Sequence, residues 1–250
     1  MKIAHISDLH FNEGIDFDEK IYEKAVKILN KENTDIIFIS GDLTTLGLLK
    51  EYELAEEKLR QINGNKIIVP GNHDERNLGF KLFPEFFGKT DFIEKFTDIN
   101  LVGLASSEPD KDDGRLGRGR HRLITQGIEK GKMTIIGFHH HVIPVPNSGR
   151  ETNIIEDAGE TLDIILKNEI PLVLIGHRHV PWAVKIHKTL LVNAGTFSCT
   201  RTRAHFGNTF NIIDIDRDKI KISVLNIKQE KKKKMIDFNL SDGCCENKYY

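Results

Sequence analysis

The chain has 250 residues, 39% apolar and 29% charged, and its 36 basic and 37 acidic side chains leave a net charge of −1. This balance excludes wholesale disorder. No apolar run approaches the roughly 20 residues that span a bilayer, and no overall positive field exists to hold a long nucleic acid. The first apolar run meets Asp8 too soon for a signal-peptide core, so the expected compartment is the cytoplasm. Three cysteines, two of them adjacent at 244 and 245, make no disulfide framework. Histidine is the residue in excess, with 11 copies.

The first half alternates short apolar runs with amphipathic stretches. Lys2–Ser7, Asp35–Ser40 and Lys66–Val69 read as buried strands. Between them, Asp18–Lys31 and Glu51–Ile62 repeat apolar residues at a helical period. Leu101–Ala105, Met133–Phe138 and Pro171–Ile175 are further strands, and Asp157–Lys167 is a further helix. Such alternation implies parallel strands covered by helices. The last third changes to closely spaced strands, Trp182–Ile186, Thr189–Val192, Phe210–Ile215 and Lys219–Ile227, which suggests antiparallel pairing. Two sheets held between helices satisfy both halves. Residues 106–122 read as a polar, Gly-rich loop. A single domain is expected over residues 1–227, followed by a mobile or loosely docked polar tail over 228–250 that carries the Lys231–Lys234 run.

Polar clusters follow five of the apolar runs: Asp8-Leu9-His10, Gly41-Asp42, Gly71-Asn72-His73-Asp74, His139-His140-His141 and Gly176-His177-Arg178-His179. Ligands in open α/β sheets bind beyond the carboxyl ends of strands. Carboxylate, imidazole and amide oxygen together suit Mn²⁺, Fe or Zn²⁺, and none of the clusters offers a thiolate. In extended backbone, residues two apart face the same way, so Asp8 with His10, and His177 with His179, are expected to aim at one centre. Taken singly, each cluster is equally a cap, a turn or an accidental run. Taken jointly, five strand-end placements exceed what turn chemistry needs.

These clusters, in this order and across residues 1–197, resemble the calcineurin-like metallophosphoesterases. Gly71-Asn72-His73-Asp74 and the run from His139 to Pro144 look most like the cyclic-nucleotide phosphodiesterase branch. The resemblance implies an α/β fold: a four-layer αββα sandwich of two mixed sheets flanked by helices, with a binuclear metal site at one edge. It implies two divalent cations (Mn²⁺, Fe²⁺/Fe³⁺ or Zn²⁺). Asp8, His10 and His179 would hold the first, Asn72, His139 and His177 the second, and Asp42 would bridge both. A hydroxide between the cations would attack the phosphorus. His73 would assist the leaving oxygen, with Asp74 orienting its imidazole. The run His139-His140-His141-Val142 stands where the family often has His-His-Pro-Pro, and His139 is taken as the ligand because it comes first after the strand. Gly41-Asp42-Leu43-Thr44 lacks the Asp-Arg that follows in phosphoprotein phosphatases, which argues against a phosphoprotein substrate.

The expected substrate is a small phosphodiester such as a cyclic nucleotide. The alternatives are a nuclease or DNA-repair phosphoesterase, a phosphomonoesterase, and a non-catalytic scaffold; the complete set of seven ligands weighs against the last. Substrate contacts are sought in the 106–122 loop, including Arg118, in residues 147–150, and in residues 193–208, including Asn193, Arg201, Arg203 and His205.

Overall fold

The computed structural model describes residues 1–14, 16–149, 152–241 and 243–247. Its strands form two mixed sheets. The first contains β1 (Lys2–Ile6), β2 (Ile36–Ser40), β3 (Asn65–Val69), β10 (Thr209–Asp216), β11 (Lys219–Asn226), β12 (Lys231–Asn239) and β13 (Cys245–Asn247), in the order β13-β12-β11-β10-β1-β2-β3. The second contains β4 (Phe92–Lys95), β5 (Ile99–Gly103), β6 (Met133–Gly137), β7 (Leu172–Ile175), β8 (Trp182–Ile186) and β9 (Thr189–Asn193), in the order β4-β5-β6-β7-β9-β8. Parallel pairing holds β1-β2-β3 and β5-β6-β7-β9, and antiparallel strands extend both sheets.

The parallel strands are near-continuous apolar runs because both of their faces are covered. In β2, Ile36 and Phe38 enter the core between the sheets, where they meet Leu101, Ile135, Leu172 and Leu190. Ile37 and Ile39 face the opposite way, into a second core with α1 (Glu19–Leu29), α2 (Leu49–Leu59) and α3 (Gly79–Phe87). Ile136 and Val173 do the same on the other sheet, against α4 (Gly117–Gln126) and α5 (Ala158–Lys167). The result is the four-layer αββα sandwich. Among the described residues, no helix is long and apolar enough to cross a membrane.

Three expectations change. Residues 117–126 of the supposed loop form α4, whose buried Ile124 packs on the sheet despite its run of arginines. Helix α3 and strand β4 are additions to the expected elements; α3 sets Leu82, Phe83, Phe86 and Phe87 against one core at a helical period despite containing Pro84. The largest correction concerns the tail. Lys231–Asn239 is β12, paired along its length with β11, and Met235, Ile236 and Phe238 are buried in the core between the sheets. The lysine run masks a strand because Lys231–Lys233 are solvated while the next residues are covered. Residues 242 and 248–250 of the expected tail lie outside the described residues. Because Phe238 is fully buried, Phe238→Ala is expected to cost about 3–5 kcal/mol in denaturant unfolding; a loss below about 0.5 kcal/mol is what a surface position gives and would mean that β12 is not part of the core.

Candidate metal centre

All five polar clusters lie just past the carboxyl ends of parallel strands: β1, β2, β3, β6 and β7. Two of these strands belong to the second sheet and three to the first, so the clusters meet at one edge of the sandwich.

The loops do not leave their strands in extended form. Asp8, His10, Asp42, His177 and His179 all have left-handed backbones, with φ of 55°, 53°, 55°, 71° and 56°. The i, i+2 convergence expected from an extended chain is therefore replaced by paired left-handed residues. Each such conformation costs on the order of 1–3 kcal/mol and persists only where surrounding contacts over-determine it. Those contacts are present. The amides of Leu9 and His10 donate to the Asp42 carbonyl at 2.9 and 3.0 Å, and Asp8 N donates to the Gly41 carbonyl at 3.0 Å. Thr196 Oγ1 donates to the Asp8 carbonyl at 2.7 Å, and His177 N donates to Asp8 Oδ2 at 3.2 Å. Gly71 is required by proximity, since a Cβ there would lie 2.2 Å from Asp42 Oδ1.

Around Asp42 the seven candidate ligands form two adjoining sets. Asp42 Oδ2 is 3.6 Å from His10 Nε2 and 3.3 Å from His139 Nε2. On the His10 side, Asp8 Oδ1 is 3.1 Å from His179 Nε2 and 4.0 Å from His10 Nε2. On the His139 side, His177 Nδ1 is 3.1 Å from Asn72 Oδ1 and 3.2 Å from His139 Nε2. Backbone carbonyls set the tautomers. His139 Nδ1 donates to Ser40 O and His179 Nδ1 to Arg201 O, both at 2.6 Å, which turns each Nε2 inward. Among the described residues, the fully buried His10 Nε2 has no hydrogen-bond partner, and Asp8 Oδ1 faces the rings of His179 and His10. Unsatisfied buried polar atoms are expensive, about 1–3 kcal/mol each, and cations between these atoms would satisfy them. The donor set therefore fits two divalent cations. Cys199, which the strand-end clusters do not include, is buried beside the first set, its Sγ grouped with nitrogens of His10 and His179 within 4.8 Å.

Two expected roles are corrected. Asp74 does not orient His73; His73 Nδ1 donates to the Thr45 carbonyl at 2.7 Å. Asp74 instead ties two loops together, accepting from Thr44 N at 2.8 Å and Gly71 N at 2.9 Å, because its side chain turns inward from the loop. Asn193 is fully buried and donates to the carbonyls of Val180 and Ala194, so its amide braces the turn beyond His179 rather than facing a ligand. Arg118 is exposed on α4, and His205 is exposed against Phe206 on a separate groove with Lys231–Lys233. Arg150 lies outside the described residues.

Arg76 and Asp112, not singled out in sequence, also reach the site, as does the expected Arg201. Arg76 Nη2 is 2.7 Å from Asp112 Oδ1, and Asp112 Oδ1 accepts from Asn72 Nδ2 at 3.1 Å. Arg201 Nη2 is 3.3 Å from His10 Nδ1. Arg76 stands two residues past Asp74, so extending the strand-end cluster by two positions would have found it. Leu46, Leu48 and Leu78 on the neighbouring loops, and Leu49 and Phe80 in the first turns of α2 and α3, are exposed, and the Asn77 side chain donates to Leu46 O.

Residues 1–181 match the family described as Calcineurin-like phosphoesterase. A probable cyclic nucleotide phosphodiesterase of Coxiella burnetii is 26% identical over 203 residues, covering 78% of this chain and 82% of that one. A probable glycerophosphodiester phosphodiesterase GpdQ of Arcobacter nitrofigilis is 25% identical over 214 residues, covering 78% of each chain. A dimetal phosphatase of Danio rerio shares the fold with a TM-score of 0.70 at 11% identity, covering 93% of this chain and 98% of that one.

Charge in the cluster is sharply divided. Burial pulls Asp42 upward, but His139, His73 and His10 outweigh it and hold the carboxyl well below the usual range. Burial opposes charge on His139 and His179 too, yet Asp42 and Asp8 push them up to about 9 and about 10. Burial and neighbouring imidazoles drive His177 well below its ordinary value. A raised imidazole pKa contributes stability that is complete below the ordinary value of 6.5 and is lost as pH rises through the folded value. The metal-free protein is therefore expected to lose thermal stability from roughly pH 7 to pH 10. Mn²⁺ should shrink that loss, because a cation replaces the protons. A metal-free melting temperature that stays flat across this window would contradict the Asp42–His139 and Asp8–His179 pairings.

Proposed function

The chain belongs to the calcineurin-like phosphoesterase family, and from that premise we propose that it hydrolyses a small phosphodiester, a cyclic nucleotide or a diester of similar size. The observation that carries the reading is the single Asp42 oxygen facing both ligand sets. Asp8, His10 and His179 would hold one divalent cation and Asn72, His139 and His177 the other, with Asp42 shared between the two sets. When bound, the cations supply the Lewis acidity that offsets phosphoryl charge and makes water a competent nucleophile near neutral pH. Mn²⁺, Fe and Zn²⁺ all suit the oxygen and nitrogen donors.

The chain's own residues do the rest. Asp42, kept ionised by its imidazole neighbours, keeps negative charge between the two sets. His73 Nδ1 is committed to Thr45 O, so the ring meets the departing oxygen through Nε2; burial, Arg76 and Arg201 hold its pKa below the ordinary imidazole value, and the negative charge of a bound phosphoryl group would offset them and favour the imidazolium that gives up the proton. Arg76 and Arg201 both bear electrostatically on His73 and hold phosphoryl oxygens beside it. A small diester is favoured over a nucleic-acid strand because the net charge is −1 and the segments beside His73 expose leucine and phenylalanine rather than a basic track. The names of the Coxiella and Arcobacter relatives support a diester. A cysteine that forms no disulfide, such as the buried Cys199, suits a reducing compartment, the cytoplasm.

With Mn²⁺, the protein should hydrolyse bis(p-nitrophenyl) phosphate and cyclic AMP, and leave single-stranded DNA largely intact. Absence of turnover on every diester by folded, cation-loaded protein would reject the reading; faster cleavage of DNA than of cyclic AMP would shift it to a nuclease. His73→Ala should slow diesters with alkyl leaving groups by about 10²–10⁴-fold. The same change should affect p-nitrophenyl esters far less, since their leaving group departs without a proton. Equal losses on both would remove His73 from the proton-transfer role.

A further inference from the structure

Residues 104–116 join β5 to α4 and pack against the segment that follows β3. Asp110 Oδ1 accepts from Asn77 N at 2.8 Å, and Asp110 N donates to Glu75 O at 3.4 Å. Asp112 goes further. Its Oδ1 accepts from Asn72 Nδ2 at 3.1 Å and from Arg76 Nη2 at 2.7 Å, and its backbone carbonyl accepts from His140 Nε2 at 3.1 Å.

An asparagine amide has two ends of nearly the same shape, and only its oxygen can bind a cation. For Asn72 to present Oδ1 beside His177 Nδ1, its NH₂ end must be held elsewhere. An ionised carboxylate accepts hydrogen bonds and donates none. Asp112 can therefore take only the NH₂ end of Asn72, and a flipped amide would place oxygen against oxygen. Arg76 keeps that carboxylate in place. The same residue fixes a second ring. With His140 Nε2–H donating to Asp112 O, His140 Nδ1 accepts from Ser106 Oγ at 2.8 Å. The His140 ring then packs against His177, with centroids 4.6 Å apart. Both contacts bear on the Asn72–His139–His177 set, and none of them reaches Asp8, His10 or His179.

We propose that Asp112 is a positioning residue for the second cation, holding the Asn72 amide oxygen and, through His140, the His177 imidazole toward that set alone. The proposal rests on the reading of Asn72 and His177 as ligands. The Asp112 side chain is 63% exposed, so removing it does not open the core.

The test is calorimetric titration of Mn²⁺ into the full-length, metal-free chain, comparing wild type with Asp112→Leu, Asp112→Asn and Asn72→Ala. Asn72→Ala identifies the binding event that belongs to the second set. Asp112→Leu should weaken that same event by about 10–100-fold and leave the other unchanged. Asp112→Asn keeps an oxygen acceptor, which Arg76 Nη2 holds toward Asn72 because that guanidinium can only donate, and should recover most of the loss, which a merely electrostatic effect of the charge would not. Unchanged binding in Asp112→Leu, equal weakening of both events, or an Asp112→Asn protein as weak as Asp112→Leu would overturn the proposal. If Asn72→Ala leaves both events unchanged, the ligand reading itself fails and this proposal falls with it.

Discussion

One carboxylate oxygen, Asp42 Oδ2, lies between two sets of buried imidazoles. Most of the surrounding architecture can be understood as what holds it there. Asp42 Oδ1 accepts from His73 N at 2.9 Å, its backbone carbonyl takes two amides from the β1 loop, and its own φ is left-handed. Gly71 leaves no side chain in its way. A carboxylate so enclosed stays ionised only because His139, His73 and His10 surround it. Their electrostatic pull, that of His139 foremost, outweighs the desolvation that burial imposes.

Such a centre is costly to fold without its cations. Five left-handed ligands store backbone strain, and among the described residues the buried Nε2 atoms of His10 and His177 have no hydrogen-bond partner. The two-sheet sandwich bears this cost through its size and its doubly covered strands. The strained loops are short, begin from rigid strand ends, and bond to one another across the seam between sheets. His139 Nδ1 donates to Ser40 O, and His177 N to Asp8 Oδ2. Ligand positions are thus set by the strands and leave little to loop mobility, which is the preorganisation that phosphoryl chemistry rewards.

The site is also layered outward. Thr45, Ser40 and Arg201 present carbonyls that choose which imidazole nitrogen faces inward. Asp112 and Arg76 form a further ring, through Asn72. Apart from Arg76, each lies far in sequence from the side chain it orients, and ordinary strand-end and loop residues supply the carbonyls. Nothing in their identity announces the role.

Strand ends carrying Asp, His and Asn made the seven candidate ligands readable from the chain alone, because apolar runs and the polar residues that end them are local features. The central strands and α1, α2 and α5 were readable for the same reason. Strand β12 was hidden because a strand that is half lysine declares itself only when β11 covers its other half. Helix α4 was hidden because its arginines outweigh a single buried isoleucine in any local count. The role of Asp74, the placement of Asn193 and the bracing by Asp112 depended on which groups become neighbours after folding. Residue type limits what a side chain can donate or accept; only the packed chain decides which partner is within 3 Å.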